Sequence, residues 1–408
     1  MDNLVIVGVG DLYNRFVEHA LKYMVDKKEL NVLATIDIKD KPKDSLDCPH
    51  ILRKSNEKLS VILAPLKQFN PLVFLGHPNN LHLSDAKDLL SNGFKVLIEK
   101  PYAINNQELK ELPLLIEKYP EKIVLLDYYL KRKAIPLMIL GGIIDKDSFY
   151  LNESDIWEKD TSLSNIKELY STFDEIIGKP NLVYIGLLEG AEDSAKVEHR
   201  GEHIINWEKG GGMIQDLGLH ASALLFALEP YIGKIDKTFS NGTVKIAREK
   251  GYIVSAQQKY NLSLDKLGET YAEIKLQTDK SADIIIKIGK YLQNNPVEKK
   301  MLIKGDKGEL NMDFYTNTFS IKSKSSKIKK TYVLNNNKNM RYYPVIQSAI
   351  KLFSSNPPLS SNLKNILLSA QELVISINHK AKNLKNIGIY ENGQNHHQIF
   401  GVKNEIKP

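Results

Sequence analysis

Asp216 and His220 stand four residues apart behind Gly210, Gly211 and Gly212, in the segment GGGMIQDLGLH. On a helix that spacing sets both side chains on one face. A carboxylate beside an imidazole is a common way to orient and tune a histidine that moves protons. A second segment, VLIEKP from Val96 to Pro101, ends a strand-like apolar run on Glu99 and Lys100. Proline restricts the residue before it to extended geometry, so Lys100 is aimed rather than loosely tethered. A lysine held at the rim of a sheet could steady negative charge developing on a substrate oxygen.

Three further segments suit a nucleotide. VIVGVGDLYNR, Val5 to Arg15, places Gly8 and Gly10 at a strand-to-helix turn, with Leu12 where the helix opens. Glycines there let the backbone approach a pyrophosphate resting on the helix N-terminus. Tyr13 occupies the position where a third glycine or alanine is usual, and Asp11 adds negative charge near the phosphate position. Asp37 closes the second apolar run, where an acid suits the ribose hydroxyls of NAD and repels the extra phosphate of NADP. Lys39 and Lys41 blunt that preference, so NAD is favoured and NADP stays possible. In HPNNLH, His77 to His82, Pro78 fixes a turn, and Asn79 or Asn80 could cap the helix that follows. The same loop, His82 included, could instead lie under a nicotinamide ribose. His203 and Trp207, with His199, precede the glycine triplet and are candidates for a substrate wall.

These residues need a scaffold, and the apolar pattern supplies one. Leu4–Val7, Val32–Ile36, Leu72–Leu75, Lys95–Ile98 and Ile123–Leu126 read as buried strands, with helical patterns between them such as Leu81–Asn92 and Asn106–Lys118. Strands alternating with helices imply a doubly wound parallel sheet, which binds ligands at the carboxyl ends of its strands. Gly8, Gly10, Asp37, His77 and Lys100 all fall at or just past such ends. After Asp127 the pattern changes. Residues 145 to 165 read as a polar excursion, Ile166–Ile177 as an amphipathic helix, and the segment after the glycines as a helix to about Leu228. Leu182–Leu188, Tyr252–Tyr260, Thr270–Gln277, Ala282–Ile288, Lys300–Ile303, Glu309–Phe314 and Thr318–Ile321 read as strands of a largely antiparallel sheet. Helices at Tyr343–Ser354 and Ser361–Asn383 and a peripheral tail from Ile387 complete the chain.

The composition is that of a globular protein. Of 408 residues, 42% are hydrophobic and 26% charged, enough for two or three domains with a large core. No apolar stretch is long enough to span a membrane, and MDNLVIVGVG opens on a strand without the basic flank of a signal peptide, so a cytoplasmic protein is expected. Cys48 is the single cysteine, which excludes an internal disulfide and a thiolate zinc site; no metal is expected. The net charge of +7 is interspersed, apart from Lys322 to Lys330, so no nucleic-acid face is expected.

The order of GxG, Asp37, HPNNLH, EKP and GGGxxxDxGxH resembles the glucose-fructose oxidoreductase, inositol dehydrogenase and MocA family, over roughly residues 4 to 382. MLIKGDKGELNMDF, Met301 to Phe314, looks like a strand pair of that family. Glucose-6-phosphate dehydrogenases also carry EKP, and DYYLKR, Asp127 to Arg132, faintly resembles their phosphate-binding stretch, but their aspartate–histidine spacing differs. The resemblance implies a Rossmann domain, residues 1–130, then an α/β domain with an open, mainly antiparallel sheet, residues 131–385, and a tail, 386–408. It implies hydride transfer between NAD(P) and a hydroxyl-bearing carbon of a sugar, sugar nucleotide or cyclitol, in a homodimer or homotetramer. Lys100 would then bond the reacting oxygen, His220 would be the main acid or base, and Asp216 would position it. Tyr128 and Arg132 join the candidate substrate contacts. The alternative is a regulatory protein that senses nucleotide or sugar on the same fold without turnover.

Overall fold

The computed structural model describes residues 2–10, 12–40, 46–54, 57–126, 177–190, 201–292, 298–316, 318–324, 329–333, 342–353 and 361–391. The expected excursion at 145–165, most of the expected helix Ile166–Ile177, Asp11, Tyr128, Arg132 and His199 lie outside them.

Six strands form the first sheet: β1 (Asp2–Val7), β2 (Leu30–Asp37), β3 (His50–Leu52), β4 (Leu72–Leu75), β5 (Lys95–Glu99) and β6 (Ile123–Leu126). All pairings are parallel, in the order β3-β2-β1-β4-β5-β6. That is the order of a doubly wound dinucleotide-binding sheet, whose crevice opens where the winding reverses, between β1 and β4. Alternation splits each apolar run between two buried faces. Val5, Val7, Val73, Leu75, Val96 and Ile98 face one core, under the helices His82–Ser91 and Asn106–Lys118. Leu4, Ile6, Leu72, Phe74, Leu97 and Val124 face the other.

That second face is covered by the helical stretch Tyr13–Asp26 and by a helix from far along the chain, Tyr343–Leu352, whose Ile346, Ala349 and Ile350 are buried there. The chain therefore returns to its first sheet after building all of the second but its last strand.

The second sheet has nine strands in the order β14-β13-β12-β11-β7-β10-β9-β8-β15. They are β7 (Pro180–Gly190), β8 (Thr243–Glu249), β9 (Tyr271–Gln277), β10 (Asp283–Leu292), β11 (Glu298–Gly305), β12 (Gly308–Asp313), β13 (Thr318–Ser323), β14 (Lys329–Val333) and β15 (Gly388–Tyr390). Only β7–β10 and β8–β15 pair in parallel, so the sheet is mainly antiparallel, as expected. Val183, Ile185, Leu187, Ile284, Ile286 and Ile288 turn to one face, buried with the helices Gly218–Ile232 and Ser361–Lys382.

Two expectations are corrected. Tyr252–Tyr260 is not a strand but most of the helix Lys250–Tyr260. The carboxylate of Glu249 caps it, accepting from the amides of Gly251 and Tyr252, and Tyr252, Ile253 and Ala256 form its buried face. The first part of the tail is not peripheral either: β15 extends the sheet edge, and the buried Tyr390 bonds Thr270 Oγ1 at 2.9 Å. Among the described residues no helix is long and apolar enough to cross a membrane.

Candidate active site

The loop after β1 is shaped from within. Gly8 has φ +98°, and a Cβ there would lie 2.7 Å from the amide nitrogen of His77 and 2.8 Å from the carbonyl of Gly76. Only glycine lets the two switch-point loops touch. Among the described residues nothing beyond its chain neighbours lies within 4 Å of where a Cβ on Gly10 would be. The amide of Val9 donates to Asp37 Oδ2 at 2.7 Å, and Asp37 Oδ1 accepts from Ile38 at 2.7 Å, which fixes the carboxylate at the crevice rim. Leu12 leads into a π-helical turn, Tyr13–Val17. Tyr13 is 1% exposed and buried with Leu4 and Ile6, so the residue in the third glycine position belongs to the core beneath the sheet.

The loop after β4 gathers three imidazoles. His77 Nε2 lies 2.7 Å from Asp85 Oδ2, and Arg53 grips both oxygens of Asp85 at 2.6 and 2.9 Å. Burial alone would raise the Asp85 carboxyl, but the bonds from His77 and Arg53 outweigh it and hold it below the usual range. Among the described residues the buried Nδ1 of His77 has no hydrogen-bond partner. His82 is buried, with its ring nitrogens 2.9 Å from the Pro101 carbonyl and 2.7 Å from the His77 carbonyl. Burial, then His77, pushes its pKa down to about 3. Neutral near pH 7, His82 has one N–H, so it donates to one of these carbonyls while the ring lies between the loops after β4 and β5. His203, in the short helix Glu202–Ile205, is pushed down to about 4 by burial and then by His77.

Asn79 reaches across to the glycine triplet, donating to the Gly210 carbonyl at 2.9 Å. Close approach by the chain itself explains the triplet: a Cβ on Gly211 would lie 2.7 Å from the Ile204 carbonyl, and one on Gly212, at φ +99°, 2.7 Å from Glu269 Oε2. Glu269 is fully buried and accepts from Trp207 Nε1 at 2.6 Å and from the amide of Ile214. Burial raises its carboxyl above the ordinary range. Trp207 is therefore not a substrate wall: it is 5% exposed, with its indole N–H committed to Glu269 and Arg248 over its ring. Pro78 leads into the turn Asn79–Leu81, without a side-chain cap.

Asp216 ends the short helix Met213–Asp216, and His220 lies in the first turn of Gly218–Ile232, with Leu217 helical between them. The four-residue step is preserved. Lys100, past the end of β5, donates to the Asp216 carbonyl at 3.0 Å and to its Oδ1. Asp216 Oδ2 accepts from Lys290 Nζ at 2.6 Å. Burial opposes ionisation of Asp216, but the two ammonium groups outweigh it and hold its carboxyl well below the ordinary range. The sequence expectation paired Asp216 with His220; the carboxylate instead reaches two lysines, and the buried His220 stands one turn away. Glu99, ahead of Lys100, is buried.

Sequence reasoning missed Lys290, Glu269 and Gln371. Gln371, fully buried on the Ser361–Lys382 helix, accepts from the amide of Tyr102 at 3.0 Å and so fixes the loop that carries Lys100. A polar side chain inside an apolar helix face was the signal for it.

No protein-family model matches the sequence, and no curated protein matches it. Solved structures do. The fold is similar to that of a 3-ketoreductase from Actinomadura kijaniata, in a variant bound to TDP-benzene and NADP, with TM-score 0.61 and 13% identity over 96% of this chain and 98% of that one. It is similar to an NAD binding oxidoreductase from Klebsiella pneumoniae, with TM-score 0.62 and 15% identity over 92% and 96% of the two chains. It is also similar to UDP-N-acetylglucosamine 3-dehydrogenase from Acidithiobacillus ferrooxidans, with TM-score 0.55 and 14% identity over 93% and 96%. At these identities the likeness is one of fold.

Proposed function

We propose that the chain is an NAD(P)-dependent oxidoreductase acting on a hydroxyl-bearing carbon of a sugar, sugar nucleotide or cyclitol, or on the matching carbonyl. The observation that carries this reading is the meeting of Lys100, from the end of β5, with Asp216, from the other side of the cleft, beside the switch point. The uncrowded Gly10, the fixed Asp37 carboxylate and the Nδ1 of His77, which among the described residues has no partner, suit a dinucleotide across the crevice. When bound, the nicotinamide supplies the hydride acceptor or donor, which no side chain offers. Backbone amides near Gly10 and Leu12 would face the pyrophosphate, and Asp37 the ribose hydroxyls.

Alcohol oxidation releases the hydroxyl proton as the C–H bond breaks. The Lys100 ammonium donates to the reacting oxygen and favours its negative charge. His220 takes the proton, or returns it in the reverse direction. Asp216 orients Lys100 directly. His203, at the rim beside His77, stays neutral near pH 7 and is available as a donor to substrate hydroxyls. The reading includes a homodimer or homotetramer through the sheet face that carries the Lys287–Glu273 pair, 3.6 Å apart; light scattering tests it.

A screen of polyols, aldoses and sugar nucleotides, with NAD and NADP, for absorbance at the reduced nicotinamide band tests the assignment. Turnover with one substrate class supports it. Failure of both cofactors to bind at millimolar concentration in calorimetry overturns it.

A further inference from the structure

Three adjacent strands of the second sheet carry charge where the rest of the same face is core. On β10 the helix-side positions run Ile284, Ile286, Ile288 and then Lys290; on β7 they run Val183, Ile185, Leu187 and then Glu189. On β11, read backwards, they run Ile303, Met301 and then Lys299. Ile288 and Lys299 both oppose Leu187, so the three charged ends lie side by side. Lys290 Nζ is 3.4 Å from Glu189 Oε2, and Lys299 Nζ is 2.7 Å from Glu189 Oε1. Asp216 closes the row above Lys290 at 2.6 Å, and Lys100 takes its other oxygen.

A buried ammonium persists only when paired, and Lys290 is 7% exposed. Its position at the end of an apolar stripe is therefore one that a purely structural strand would fill with another isoleucine. A carboxylate facing a single ammonium can give it both oxygens and neutralise it locally. With Lys290 on Oδ2, Asp216 is divided between two cations. Along the row three ammonium groups, Lys100, Lys290 and Lys299, alternate with two carboxylates, Asp216 and Glu189.

We propose that Lys290 is a positioning residue of this site: it holds Asp216 by Oδ2, so that of the two carboxylate oxygens only Oδ1 meets Lys100 and the Lys100 ammonium keeps charge for a substrate oxygen. Glu189 and Lys299 hold Lys290 from behind. The inference rests on the reading of Lys100 as the group that meets the substrate oxygen.

Its test does not need turnover. Acetic anhydride labelling of Lys100 in the full-length protein, followed by mass spectrometry at one near-neutral pH, reports the free-amine fraction of that side chain. Lys290→Met leaves the Asp216 carboxylate wholly to Lys100, and labelling is expected to fall about tenfold. Lys290→Arg keeps the charge and should stay near wild type. Glu189→Gln removes a negative charge from the row, and labelling should rise. A merely structural role would move Lys290→Met and Glu189→Gln in the same direction. Unchanged Lys100 labelling in a folded Lys290→Met protein overturns the proposal; if that variant does not fold, labelling that fails to rise in Glu189→Gln overturns it. Where a substrate is turned over, Lys290→Met should lower kcat with KM nearly unchanged, and Lys290→Arg should restore it. Absence of turnover with every substrate would remove the oxidoreductase reading and leave the labelling result to stand alone.

Discussion

The two halves of the cleft are built by different means. On the side of the first sheet, the rim is set by backbone: Gly8 against Gly76 and His77, the Val9 amide on Asp37, and His82 between two carbonyl oxygens. On the side of the second sheet it is set by ionised side chains in contact: Asp216, Lys290, Glu189 and Lys299. Strands buried on both faces leave little room for polar side chains, so their chemistry is confined to the loops at their ends. A mixed sheet with one helix-covered face can carry charge on the strands themselves, provided each charge is answered by a neighbour.

The difference can be broken most sharply at the point where the halves meet. Lys100→Met should lower turnover about 10³-fold while NAD(P) affinity stays near wild type, because the lysine acts on developing charge rather than on the nucleotide. Steady-state kinetics with calorimetry check this, and unchanged turnover would sink the role given to Lys100. On the backbone side, the pH response belongs to His82. Its pKa is near 3 in the folded protein and near 6.5 when unfolded, so the unfolded chain binds more protons between those values. Stability is full above about pH 6.5 and falls on acidification toward pH 3, by on the order of 3 kcal/mol at pH 4. Denaturant titrations across that range should show a shallower acid loss in His82→Gln.

On the ionic side, Asp216→Asn leaves Lys100 and Lys290 facing one another without a shared anion. A loss of about 2 kcal/mol is expected, discounted because the Asp216 side chain is 26% exposed. Thermal unfolding at low and high salt measures it, and no change in Tm would show that the row is not a stabilising unit. The smallest effect is expected at Asp37. Asp37→Ser should weaken NAD binding about tenfold and narrow its advantage over NADP, since one charge-assisted contact is lost. Equal affinities in wild type and variant would remove Asp37 from the cofactor site.

The backbone-built half was legible in the sequence, but of the ionic half only Asp216 was. The runs LVIV and LVFL, with Gly8 and Lys100 just past strand ends, follow from the rule that parallel strands are apolar throughout and end in ligand loops. Asp37 at the end of β2 and Asn79 past the end of β4 were placed the same way, although Asn79 bridges to Gly210 instead of capping a helix. Lys290 and Glu189 were missed because a lysine or glutamate in an alternating strand reads as solvent-facing. Only the parity with Ile288 and Leu187 betrays them. Trp207 was misjudged for a related reason: its partner Glu269 lies 62 positions on, and nothing local announces a buried carboxylate there. The helix at Lys250–Tyr260 was misread because its β-branched and aromatic residues outweighed the cap that Glu249 supplies.

The helix Tyr343–Leu352, laid on the first sheet, sets a timetable for synthesis. The face bearing Leu4, Ile6, Val124 and Leu126 leaves the ribosome without that cover, and roughly two hundred residues must be added before the helix emerges, on the order of 10–40 s at ordinary elongation rates. During that interval a nascent chain carries an apolar surface that its own later segment is to occupy. Truncation within the second sheet should therefore yield a first sheet that aggregates or holds a chaperone, rather than an independent nucleotide-binding fragment.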